Sequence, residues 1–83
     1  MSEPRITLYG RAGCHLCDEA RTVIQRVCAE TGERYREVDI DTDPDLVARF
    51  TDEVPVTFVD GRQHDFWRVD EQRLRAALDR PGG

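Results

Sequence analysis

Residues 8–17 read LYGRAGCHLC, and they place two cysteines, Cys14 and Cys17, directly after a glycine-containing turn. Upstream, residues 5–9 alternate apolar with polar or amphipathic side chains, which is the period of a β-strand. Downstream, apolar residues recur at the spacing of one helix face: Leu16, Ala20, Val23, Ile24 and Val27. The cysteine pair is therefore predicted to lie where a strand ends and a helix begins.

This position predicts thiol chemistry. The first turn of a helix has unpaired N–H groups and a partial positive charge, and both stabilise a thiolate relative to a thiol. Cysteines in a Cys-x-x-Cys arrangement there are reactive. We expect Cys14 to be the exposed nucleophile and Cys17, one turn inside, to be the resolving thiol that displaces a bound partner. Arg11 and His15 flank the pair, where each would add positive potential.

The rest of the chain predicts the element order βαβαββα. A second strand is expected over residues 34–40, an apolar third strand over 56–60 and a returning hairpin strand over 64–69. Residues 30–32 are expected to end the first helix. Asp43-Pro44 is a typical start for a short helix, and Asp70 is expected to open the last one, ended by residues 81–83. A right-handed crossover makes the first two strands parallel. The fold class is α/β, with a four-stranded mixed sheet flanked by helices.

Composition narrows the function classes. The 83 residues suit a single domain, 1–83, and the 12 basic and 17 acidic side chains give a net charge of −5. An acidic chain without a basic block is a poor candidate for binding nucleic acid or anionic membranes. All 12 cations are arginine, which excludes Schiff-base chemistry on lysine. No apolar run suggests a membrane span or a signal peptide, so a cytoplasmic monomer is expected.

The run at residues 8–17, followed by Val54-Pro55, resembles the glutaredoxins and their short relatives over nearly the whole chain. The resemblance implies a thioredoxin-like fold and disulfide exchange with a protein or a low-molecular-weight thiol. It implies that Pro55 is cis and faces the cysteine pair, that the Val54 backbone pairs with an extended substrate, and that Asp70 is the acidic residue at the start of the last helix.

Three departures from the glutaredoxin pattern argue against glutathione as the substrate. The inner residues of the cysteine motif are His15-Leu16 rather than Pro-Tyr, Glu53 stands where a threonine usually precedes Val-Pro, and residues 66–70 replace a glycine pair. Glutathione carries two carboxylates, and Glu53 would repel one placed nearby. Glutathione binding is therefore doubtful, whereas dithiol chemistry is not affected.

The alternative is a redox-inactive binding module, or a carrier of metal or an iron–sulfur cluster. Two thiolates supply only half of a tetrahedral zinc shell, with His64 as a possible third ligand and Cys28 as a remote one. We expect Cys28 to pack as a small core residue and His64 to be an ordinary strand residue. Trp67 is expected to pack in the core or the hairpin, although an indole beside the site could recognise a partner. Neither a cofactor nor a metal is expected.

Overall fold

The computed structural model describes residues 3–79. In chain order the elements are β1 (Ile6–Gly10), α1 (His15–Thr31), β2 (Tyr35–Asp39), a single 3-10 turn (Ile40–Thr42), α2 (Pro44–Phe50), β3 (Val56–Val59), β4 (Arg62–Phe66) and α3 (Glu71–Asp79). The four strands form one sheet in the order β2-β1-β3-β4, with β1 and β2 parallel and the other pairs antiparallel. The predicted element order and mixed sheet are confirmed.

The sheet buries both of its faces. Ile6 and Leu8 of β1 pack with α1 and α3 on one face, where the core also includes Ile24 and Leu74. On the other face, α2 contributes the buried Phe50 to a smaller cluster with the 3-10 turn and β3. Because β1 is central and its side chains alternate between these two clusters, the strand that leads into the cysteine motif is packed on both faces.

The helix ends follow the predicted signals. Asp43 caps α2 with its side chain on the N–H of Asp45, and Pro44 is the first helical residue. The Asp70 carboxylate accepts the Arg73 N–H at 3.1 Å, which caps α3. Helix α1 ends at Gly32, whose φ of 78° is left-handed and therefore suits glycine. The predicted stop after α3, at residues 81–83, lies outside the described residues.

Three predictions about the elements were wrong in detail. Strand β4 spans 62–66 rather than 64–69, because Trp67 has a φ of 64° that ends the extended backbone. Trp67 itself is 52% exposed and is not a core residue. Leu16 does not join the buried face of α1 either, since the buried residue of that first turn is Cys17. The bounds of β1 and β2 each differ by one residue at both ends, and β3 ends one residue earlier than predicted. Within residues 3–79, no helix is long and apolar enough to cross a membrane.

Candidate active site

Cys14 is the N-cap of α1. Its backbone is extended, with φ −91° and ψ 112°, and its sulfur accepts the Cys17 N–H at 3.2 Å. The Cys14 carbonyl accepts the Asp18 N–H, also at 3.2 Å, which closes the first helical turn. The residue is partly exposed. The Cys14 sulfur thus takes the role that a capping oxygen usually has and lies at the N-terminus of the helix.

Cys17 lies one turn further along the helix and is fully buried. Its sulfur packs against Gly10, where a Cβ atom would approach it to 3.0 Å. Burial, first, and a hydrogen bond with Cys14, second, raise the pKa of the Cys17 thiol to about 11, although a hydrogen bond from the Arg11 backbone opposes them. At neutral pH Cys17 is therefore a protonated thiol that lies in contact with the exposed Cys14. The predicted difference in exposure between the two cysteines is confirmed, whereas their roles as nucleophile and resolving thiol stay predictions.

The two residues that flank the cysteine pair, Arg11 and His15, differ in their surroundings. The Arg11 guanidinium pairs with Asp41 at 2.6 Å and donates to the Thr51 hydroxyl at 3.2 Å. The pKa of Arg11 is raised chiefly by Asp41, with smaller contributions from Asp39 and Cys14. The Asp41 carboxylate thus anchors the guanidinium. His15, the first residue of α1, is exposed beside the pair.

The Val54-Pro55 peptide bond is cis, as the resemblance implied. Pro55 is buried, and its carbonyl accepts the Trp67 N–H at 2.8 Å. The Val54 N–H donates to the Phe50 carbonyl at 3.0 Å. That N–H is therefore paired within the protein, and backbone pairing of Val54 with a substrate stays a prediction.

An open groove of about 310 Å³ adjoins the cysteine motif, and its lining residues are Leu16, Val54, Phe66, Trp67 and Arg68. Leu16 belongs to the motif itself and Val54 to the cis peptide, so the groove joins the two halves of the predicted site. Asp70 is not part of this lining; its carboxylate caps α3.

Only part of the groove was predicted: Val54 as a substrate-binding residue, and Trp67 as an alternative recognition element. Leu16 was assigned to the core because its spacing fits the apolar face of α1, and Phe66 and Arg68 were read as strand residues. One signal was present in the sequence. The apolar pair Phe66-Trp67 lies between polar neighbours, at the place where glutaredoxins have glycines.

The remaining candidate ligands do not form a metal site. Within the described part of the chain, no group of three or more His, Cys, Asp or Glu side chains could hold a metal ion. Cys28 packs partly buried against the core, as expected, and burial raises the pKa of its thiol. His64 lies on β4 with a mostly buried ring, and burial lowers its pKa although Asp65 opposes the change.

Comparison with known proteins agrees with this geometry. A family model described as glutaredoxin-like domain (DUF836) matches residues 5–79. Uncharacterized protein Rv0508 of Mycobacterium tuberculosis is 39% identical over 85 residues, covering 96% of this chain and 88% of the relative. The X-ray structure of target protein XcR50 from X. campestris has a TM-score of 0.73 and 39% identity, covering 89% of this chain and 95% of that one.

A solved structure with lower sequence identity is informative about the fold only. The crystal structure of a buckwheat glutaredoxin–glutathione complex has a TM-score of 0.57 and 17% identity, and it covers 77% of this chain and 62% of that one. A four-stranded mixed sheet with helices on both faces, carrying a cysteine pair at the start of the first helix, defines a small thioredoxin-fold protein. Within that class, the chain belongs to the glutaredoxin-like domain family.

Proposed function

We propose that the protein is a thiol–disulfide oxidoreductase in which Cys14 and Cys17 alternate between a dithiol and a disulfide. The observation that carries the proposal is the Cys14 sulfur at the N-cap of α1, where it accepts the Cys17 N–H at 3.2 Å. The N-cap position leaves this sulfur partly exposed at the start of the helix, where it is accessible to a substrate disulfide. The buried Cys17 is close enough to follow it in the reaction.

The reaction has two balanced steps. The Cys14 thiolate attacks one sulfur of a substrate disulfide, a Cys14–substrate disulfide forms, and the other substrate sulfur leaves as a thiolate. Cys17 then loses its proton to solvent and attacks the Cys14 sulfur. This second step releases the remaining substrate sulfur and leaves a Cys14–Cys17 disulfide, so two electrons pass from the protein to the substrate. The reverse sequence would oxidise a substrate dithiol.

We propose protein disulfides as the favoured substrates and a reducing, cytoplasmic setting. Glu53 and the Phe66-Trp67 pair occupy positions that glutathione-binding relatives fill with threonine and glycine. Phe66 and Trp67 are 46% and 52% exposed, and they present apolar surface where those relatives have glycines next to a small thiol with two carboxylates. Val54 lies next to Glu53 and lines the same groove as Phe66 and Trp67.

A trapping experiment tests the proposed reaction. In a Cys28→Ser background, the reduced protein is mixed with a peptide joined through its cysteine to thionitrobenzoate, whose release is followed by absorbance. We expect one chromophore per protein, followed by release of the free peptide as Cys14 and Cys17 join. With Cys17→Ser, the peptide should remain attached to Cys14, as mass spectrometry would show. A Cys14→Ser protein that reacts as fast as the parent would contradict the proposal.

A further inference from the structure

Phe66 and Trp67 are the two large apolar side chains with high exposure in the part of the chain that the structure describes, at 46% and 52%. Their rings contact each other edge to face, with centroids 5.1 Å apart. Apolar side chains that are scattered singly over a surface need no explanation, but adjacent ones in a groove indicate a binding surface. Together with Leu16 and Val54 they form the apolar wall of the groove beside the cysteine motif.

The Trp67 side chain is held in this exposed position rather than left loose. Its indole N–H donates to the Asp52 carbonyl at 3.0 Å, and its backbone N–H donates to the Pro55 carbonyl at 2.8 Å. Both anchors belong to the segment that contains the cis peptide bond. An indole fixed in advance loses little conformational entropy when a ligand covers it, which favours binding.

The charge of the groove indicates what it binds. Arg68 lines the groove, and its guanidinium makes no ion pair within residues 3–79. Arg11, Arg21, Arg26, Arg73 and Arg75 pair with carboxylates. Arg36, Arg49 and Arg62 make no ion pair among the described residues either, but they do not line the groove. Glu19 lines the adjoining cavity together with Arg68 but does not pair with it. An unpaired cation at the edge of an apolar groove is complementary to a ligand that carries both an apolar side chain and a carboxylate.

We infer that the groove binds an extended, cysteine-bearing peptide segment of a protein substrate, with a large apolar residue next to the cysteine and an acidic residue on its other side. The apolar side chain covers Phe66 and Trp67, the carboxylate pairs with Arg68, and the Val54 carbonyl accepts a backbone N–H of the segment. A second copy of this chain is a poorer occupant, because two chains of net charge −5 repel each other. The inference rests on the proposed function and adds the substrate class to it.

The test compares three pentapeptides as thionitrobenzoate disulfides: Gly-Leu-Cys-Glu-Gly, Gly-Gly-Cys-Gly-Gly and Gly-Leu-Cys-Lys-Gly. We expect the second-order rate with the leucine–glutamate peptide to exceed that with the glycine peptide by about tenfold, the scale of one buried apolar side chain. Replacing glutamate by lysine should lower the rate by about threefold, since the contact with Arg68 is exposed. Equal rates for all three peptides would overturn the inference while leaving the proposed reaction intact, whereas no reaction at Cys14 would overturn the reaction itself.

Matched variants locate the preference on the protein. Arg68→Glu should reverse the order of the glutamate and lysine peptides, whereas Arg62→Glu, the same charge change on the exposed hairpin, should keep it. Phe66→Ser should bring the leucine and glycine peptides to similar rates, and Phe66→Leu should restore the difference. The circular dichroism of each variant shows whether it is folded. An unchanged peptide preference in folded Arg68→Glu and Phe66→Ser proteins would assign the selectivity to another surface.

Discussion

Replacing Gly10 by alanine tests how the buried thiol is packed. The new methyl group would lie 3.0 Å from the Cys17 sulfur and 3.4 Å from its Cβ, although the backbone at Gly10 is ordinary extended strand. Inserting a methyl into a packed core costs about 1–3 kcal/mol. Alanine regains about 0.5–1 kcal/mol over glycine within a strand. The variant should therefore lose about 0.5–2 kcal/mol of unfolding free energy, and each 1 kcal/mol lowers the melting temperature by about 4–8 °C.

A double-mutant cycle isolates the sulfur contact. Cys17→Ala removes the atom that the new methyl group meets, so Gly10→Ala in that background should be neutral or slightly stabilising. The coupling energy between the two positions should be about 1–2 kcal/mol in urea denaturation. Gly32→Ala serves as a control, because its cost comes from the left-handed φ of 78° and should be the same with or without Cys17. A Gly10→Ala cost that is unchanged by Cys17→Ala would refute this packing.

Three further outcomes follow from the charges and burial at the site. Because burial raises the pKa of Cys17 to about 11, the rate at which Cys17 attacks the Cys14 mixed disulfide should rise by about tenfold per pH unit between pH 7 and 9. A rate independent of pH would count against a buried resolving thiol. Glu53→Thr should raise turnover of a glutathione mixed disulfide by about fivefold, the scale of removing one nearby repulsion, with Glu53→Gln as the control for charge alone. The lowered pKa of His64 keeps it neutral in the folded protein, whereas the unfolded chain binds a proton below pH about 6.5. The folded protein is therefore stabilised relative to the unfolded chain above that pH, and this stabilisation is lost as the pH falls. His64→Gln should flatten the rise of the unfolding free energy between pH 5 and 7. An unchanged slope would be inconsistent with a buried His64.

Local signals in the sequence were sufficient to predict most of the fold. Asp43-Pro44 starts α2 and Gly32 ends α1, because both depend on backbone conformations that only a few residue types favour. The apolar residues 56–59 fit a central strand, since both faces of the sheet are covered. The position of the cysteine pair could be predicted in the same way, from the end of a strand and the start of a helix. The first cysteine then lies at the N-cap, and the second lies one turn inside the helix and is buried.

Spacing alone could not predict the groove. Leu16 fits the apolar period of α1, yet the first turn of this helix is at the edge of the core, where Cys17 fills the space next to Gly10. Trp67 was expected to pack because large aromatic side chains are usually buried, but its positive φ turns the chain away from the sheet. These departures depend on tertiary contacts that a pattern of single residues does not encode. Leu16 and Trp67 both line the groove beside the cysteine motif.

Competition between the three thiols for a limiting reagent tests the central claim most directly. The reduced protein is treated at pH 7 with less than one equivalent of iodoacetamide, and peptide mapping then measures the labelled fraction of each cysteine. Cys14 should take nearly all of the label, because its sulfur is partly exposed and receives the Cys17 N–H, whereas burial raises the pKa values of Cys17 and Cys28. Labelling of Cys28 at a rate equal to or above that of Cys14 would contradict a reactive sulfur at the start of α1.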